Sequence, residues 1–200
     1  GAKNLTFSGL SNAPAGTVPT VEATDFGTST SITFTSGVSN ANAATLIAYK
    51  AETTSVDVTD GTINSIGDTS YDLDLVVAPA TASYLKVTGA SSTPTAGATD
   101  ELTITAYDTY GNTATGYTGA KNLTFSGLSN ALSGTVPTVE AIDFGTSTSV
   151  TFTSGVSNAT AATLIAYKAE SSSIDVTDGT YDSTGNTTYD FDLTVAPAAA

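Results

Sequence analysis

The feature that most constrains this 200-residue chain is an internal repeat. The stretch from Gly1 to about Ala82 recurs without a gap from Gly119 to Ala200, at a constant offset of 118 residues. "GAKNLTFSGLSNA" opens both copies, "TSGVSN" and "ATLIAYKAE" sit at matching places, and both close on Ala-Pro, at Ala78-Pro79 and Ala196-Pro197. About four in five positions are identical. Ile32 becomes Val150, Val56 becomes Ile174 and Leu73 becomes Phe191, while Thr53 and Thr54 become Ser171 and Ser172. Packed β-structure tolerates such swaps, and any fold proposed must accept the same sequence twice. Residues 83–118 occur once, so the chain holds about one and two-thirds repeats.

Within each copy the apolar pattern has period two. "DELTITAYD" puts Leu102, Ile104 and Ala106 on one face, "NLTFSG" Leu5 and Phe7, "SITFTS" Ile32 and Phe34. "SVDVTD" presents Val56 and Val58, "YDLDLVV" presents Tyr71, Leu73, Leu75 and Val77, and "SYLKVTG" presents Leu85 and Val87. Alternation of this kind predicts half-buried strands. Threonine, about a fifth of the chain, suits their solvated faces. "NANAATLIAYKAE" is the one segment that competes for a helix, and the alternation of Ile47, Tyr49 and Ala51 favours a strand. Turn signals such as Ser36-Gly37 and Asp60-Gly61 recur about every ten residues, the spacing of a sandwich or barrel.

Composition excludes several chemistries. There is no Cys, His, Met or Trp, and the only cationic side chains are Lys3, Lys50, Lys86, Lys121 and Lys168. Disulfides, Cys/His zinc sites, thiol nucleophiles and serine–histidine triads are thereby ruled out. A net charge of −14 repels a phosphate backbone, so no nucleic-acid partner is expected. No apolar run is long enough for a membrane span in this segment.

The break in alternation around Pro79 sets the expected domain frame. Residues 1–79 are the C-terminal two-thirds of one β-sandwich repeat, residues 80–197 a complete repeat of seven to nine strands, and residues 198–200 the start of a next linker. Residues 1–79 lack equivalents of "SYLKVTG" and "DELTITAYD", which leaves open sheet edges. Three sources for the absent strands follow: preceding chain in a longer array, residues 83–118 folding backward, or strand donation by another molecule.

The run Ala106-Tyr107-Asp108-Thr109-Tyr110-Gly111-Asn112, followed by Tyr117-Thr118-Gly119, resembles a pattern of bacterial immunoglobulin-like tandem repeats from large surface proteins. That resemblance implies an immunoglobulin-like antiparallel β-sandwich without catalytic activity. It implies an extracellular or cell-surface place as a structural module of a filament, surface layer (S-layer) or stalk. The alternative it leaves open is a ligand- or carbohydrate-binding module of an adhesin. The expected partners are neighbouring repeats or copies of the chain itself.

Acidic turns are the remaining chemistry. Asp57, Asp60, Asp68, Asp72 and Asp74 recur as Asp175, Asp178, Asn186, Asp190 and Asp192, and the Asn64/Asp68 pair inverts to Asp182/Asn186. Carboxylates with turn carbonyls form a hard-oxygen set for calcium, with Asp57, Asp60, Asp108, Asp175, Asp178 and Asp182 as candidates. The competing reading is that these residues form turns and keep strand faces soluble. No cofactor is otherwise expected. Asn4, Asn122, Asn158 and Asn186 lie in Asn-x-Ser/Thr triplets and are glycosylation candidates. Tyr49, Tyr107, Tyr110 and Tyr117 are the aromatic residues considered for sugar contact, against ordinary strand packing. Lys50 and Lys168, in otherwise apolar strands, read as surface partners of Glu52 and Glu170, with a Lys–Asn cross-link as the rarer alternative.

Overall fold

β-Branched and aromatic side chains at every second position favour extended backbone, because they pack well on a pleated surface. The computed structural model of the protein describes residues 1–199 and holds 18 strands and no helix among them. Ala200, within the expected linker at 198–200, lies outside the described residues. The strands group into two units: residues 1–79 with Tyr110–Asn112, and residues 80–109 with 113 onward.

Unit 2 contains β9 (Tyr84–Gly89), β10 (Thr99–Tyr107), β11 (Gly119–Ser126), β12 (Thr138–Val139) and β13 (Ile142–Asp143). It continues with β14 (Ser147–Thr153), β15 (Val156–Ser157), β16 (Thr163–Ile165), β17 (Ser171–Thr177) and β18 (Phe191–Thr194). Every pairing between these strands is antiparallel, in the order β13-β12-β16-β10-β15-β14-β11-β17-β18, with β9 on the other edge of β10. Within unit 2, strand β10 links β13-β12-β16 to the remaining strands. Its first half pairs with β16 (Thr99↔Ile165) and its second half with β15 (Thr105↔Val156). Alternate residues enclose one core: Leu85 and Val87, Leu102, Ile104 and Ala106, Leu123 and Phe125, Val150 and Phe152, Ile174 and Val176. The all-β, antiparallel sandwich expected from the sequence is the class observed.

Unit 1 contains β1 (Ala2–Ser8), β2 (Thr20–Val21), β3 (Thr24–Asp25), β4 (Ser29–Thr35), β5 (Val38–Ser39), β6 (Leu46–Ile47), β7 (Glu52–Thr59) and β8 (Leu73–Val77). Each is the copy of a strand in unit 2, and the registers match at the 118-residue offset. Leu5↔Thr30 corresponds to Leu123↔Thr148, Thr6↔Thr59 to Thr124↔Thr177, and Val56↔Leu73 to Ile174↔Phe191. Nothing in unit 1 corresponds to β9 and β10. Residues 84–107 serve unit 2, and unit 1 is left with two separate sheets, β5-β4-β1-β7-β8 and β3-β2-β6.

Two local expectations are corrected. "NANAATLIAYKAE" forms only the two-residue β6, and its copy only β16, because the chain after Ile165 leaves that layer to begin β17. Ala166 is instead buried, with its carbonyl accepting from Gly97 N–H at 2.8 Å. Tyr71 lies in a turn ahead of β8 and is largely exposed.

Candidate functional site

The acidic turn after β7, and its copy after β17, is built in the same way in both units. The Asp60 carboxylate accepts from the N–H groups of Ile63 (2.7 Å) and Thr62 (2.9 Å). Those two donors hold its pKa below the ordinary value. Asp178 accepts likewise from Tyr181 (2.7 Å) and Thr180 (2.8 Å). Beneath the turn, Ser65 Oγ accepts from Val58 N–H (2.9 Å) and donates to Asp57 (3.0 Å), while Ser183 accepts from Val176 (2.9 Å) and donates to Asp175 (3.0 Å). Ser183 is fully buried, so this relay satisfies polar atoms that water cannot reach.

Unit 2 adds one element to the turn: the slot above it is filled by Tyr117. The buried Tyr117 ring lies edge-on to Phe152 (4.8 Å between centroids) and to Tyr181 (6.1 Å). Lys121 Nζ sits 4.6 Å over its face, and its hydroxyl donates to Asp178 Oδ2 at 2.8 Å. Burial raises the phenol pKa, and the Asp178 charge raises it further. Burial works in the same direction on Asp178, but donation from Tyr181, Tyr117 and Thr180, with Lys121 nearby, outweighs it and keeps that carboxyl ionised below its usual range.

The remaining candidates separate. Asp108 is fully buried, and its Oδ2 accepts from Ala80 N–H at 2.9 Å, which fixes the start of the repeat. Asp182 caps its own turn through Thr184 N–H (2.9 Å) and Thr184 Oγ1 (2.7 Å). Asp68 and Asn186, the exchanged acid and amide, both use Oδ1 to accept an N–H two residues on, from Ser70 and Thr188 at 3.0 Å. The turn needs an acceptor oxygen, which either residue provides. Among the described residues, no three carboxylates gather in a geometry that holds a metal ion. Asn4 and Asn122 lie exposed on β1 and β11, Asn158 in the turn after β15 and Asn186 in the turn before β18.

Lys50 pairs with Glu52 at 3.0 Å and Lys168 with Glu170 at 2.8 Å. Each Glu also accepts a backbone N–H at 2.7 Å, from Ser11 and Ser129. Of the tyrosines, Tyr107 stacks on Tyr84 (5.4 Å), which stacks on Tyr189 (4.0 Å). Burial and the neighbouring Tyr189 push the Tyr84 pKa up to about 12. Within unit 1, Tyr49 meets Tyr110 at 4.9 Å, and Asn112 bonds the backbone on either side of Lys50, accepting from Ala51 N–H and donating to Tyr49 O at 2.8 Å each. These are packing contacts, not an exposed aromatic platform.

No family model and no curated protein matches the chain. Among solved structures it is similar to FdeC, an Escherichia coli adhesin, at 21% identity and a TM-score of 0.44, over 100% of this chain and 55% of that one. It is similar to the Yersinia pseudotuberculosis adhesin InvE at 14% identity and 0.39, over 98% and 49%. Domains 4 and 5 of the S-layer protein SbsC align at 14% identity and 0.31, over 76% and 69%. The chain thus spans about half the length of each of the two adhesin structures.

Proposed function

We infer that this chain is a non-enzymatic structural repeat module of an extracellular prokaryotic filament, surface-layer or stalk protein. The observation that carries this reading is the duplicated register: two copies of one sequence form the same ladders at a 118-residue step. Asp60 and Asp178 each hold their own turn, and Asp57 and Asp175 each accept from the serine beneath that turn, which supports a structural use of these carboxylates. Thr-rich strand faces and a net charge of −14 keep such a module soluble, and the absence of Cys and Met leaves no easily oxidised sulfur.

The adhesin reading calls for an apolar patch on one unit, and unit 1 offers Val38, Ile63 and Tyr71, each more than two-thirds exposed. The unit 2 counterparts Val156, Tyr181 and Tyr189 are half-buried at positions served by β10, Tyr117 and Tyr84. The patch therefore reads as an uncovered core face. Electron microscopy of the native material tests the proposal. Ordered fibres, lattices or slender rods are expected, and monodisperse compact particles would overturn it.

A further inference from the structure

Unit 1 carries an open groove of about 830 Å³ lined by Lys3, Leu5, Phe34, Val58, Asp60 and Ile63. The corresponding residues of unit 2 are Lys121, Leu123, Phe152, Val176, Asp178 and Tyr181, so five of the six are identical. In unit 2 the ring of Tyr117 stands against this set and its hydroxyl reaches the carboxylate. The second copy thus shows what the first is shaped to receive: a phenol set edge-on to Phe34, with its hydroxyl on Asp60 and the Lys3 ammonium over its face.

The open edges agree. Strand β10 takes Ala162 O at Leu102 N–H (3.0 Å), Gly155 O at Ala106 N–H (2.7 Å) and Ser157 Oγ at Ile104 N–H (3.0 Å). Unit 1 repeats these acceptors as Ala44, Gly37 and Ser39, at the edges of β6 and β5, which nothing in unit 1 joins. Val38 at that edge is 69% exposed and Ile47 46%.

We propose that this face of unit 1 is the docking site for a segment with the residue pattern of 80–118, joined in the same chain to the amino end of Gly1. Two observations favour that source over a second copy. Gly1 already holds the register of Gly119, with Phe34 N–H donating to its carbonyl at 2.9 Å as Gly119 pairs with Phe152, so a tyrosine two residues ahead of Gly1 falls at the slot. In a second copy the same segment is committed, with Leu85, Val87, Ile104 and Ala106 fully buried in its own unit 2. Lending it would dismantle a finished core.

The test places a copy of residues 80–118 directly before Gly1 of the full chain and follows amide exchange in β1, β4 and β7. Closure of the face is expected to slow exchange there by about 100-fold, the difference between local opening and opening with a core. The same extension carrying Tyr117→Ala in the added copy should lose most of that gain. No change in exchange would overturn the proposal. So would a concentration-dependent dimer of the original chain, seen by sedimentation, that protects the same amides and persists in the extended chain. If the extended chain aggregates, a synthetic peptide of residues 80–118 added to the original chain decides: saturable protection of β1, β4 and β7 supports the docking site, and its absence overturns it.

Discussion

Tyr117 is the side chain on which unit 2 closes its acidic turn, and replacing it gives a graded test. Tyr117→Phe keeps the ring against Phe152 and removes only the hydroxyl that donates to Asp178 at 2.8 Å. Hydrogen bonds to charged groups contribute about 1.5–3 kcal/mol. Asp178 retains two backbone donors and some solvent, which places the loss at the low end, about 1.5 kcal/mol. Tyr117→Ala also empties the slot and should cost about 3–5 kcal/mol, the range for a buried aromatic.

The assay is urea unfolding of the full chain at neutral pH, with unit 2 followed through exchange of β10, β11 and β17 amides. The pH dependence has a definite sign. The Asp178 carboxyl titrates below its ordinary 3.8, so its contribution is fully present above that value and lost as the pH falls through the depressed folded value. The Tyr117 phenol is raised, so its contribution holds below the ordinary value of 10.0 and is lost as the pH climbs toward the folded value. The Phe variant should therefore differ most from the parent between these limits. A Phe variant as stable as the parent at pH 7, or a loss of the same size after Asp178→Ala, would refute the assigned bond.

Three further outcomes follow from the same geometry. Gly127 has φ +110°, and a Cβ there would lie 1.9 Å from the Ser173 carbonyl oxygen, so Gly127→Ala should unfold unit 2 at temperatures where the parent is native, read by circular dichroism. Burial raises the pKa of Asp100, and its Oδ2 lacks a hydrogen-bond partner while Oδ1 accepts from Ser91. Its stabilising contribution is present below the ordinary carboxylate value and lost as the pH rises, so Asp100→Asn should gain about 1 kcal/mol at pH 7 and nothing at pH 3, measured by urea titration. Millimolar calcium should leave both unfolding midpoints unchanged, whereas saturation at 100 times Kd would add about 2.7 kcal/mol and a shift of several degrees.

The strand faces were legible because period-two burial is written directly in the sequence: Leu102, Ile104 and Ala106 all lie in the core as their spacing requires. Changes of layer were not, since the alternation in "ATLIAYKAE" runs on past the point where the backbone leaves its sheet. The hairpin between β12 and β13 was equally hidden, because Glu140 and Ala141 take positive φ without a glycine or asparagine to mark it. Ser65 and Ser183 escaped notice as lone serines. Their signal lay in the repeat: they stay the same where Ile63, Asn64 and Ile66 become Tyr181, Asp182 and Thr184. The engagement of each acidic turn by its own backbone depends on side-chain rotamers, which spacing alone does not specify.

One sequence unit of 118 residues is thus closed in unit 2 and open in unit 1. The amides of Val58 and Val176 test it most directly, since each donates to a serine Oγ at 2.9 Å in nearly identical local sequence. Only Val176 lies beneath a completed core. Native-state hydrogen exchange on the chain as it stands should find Val176 protected about 100-fold or more beyond Val58. Equal protection of the two amides would contradict the account.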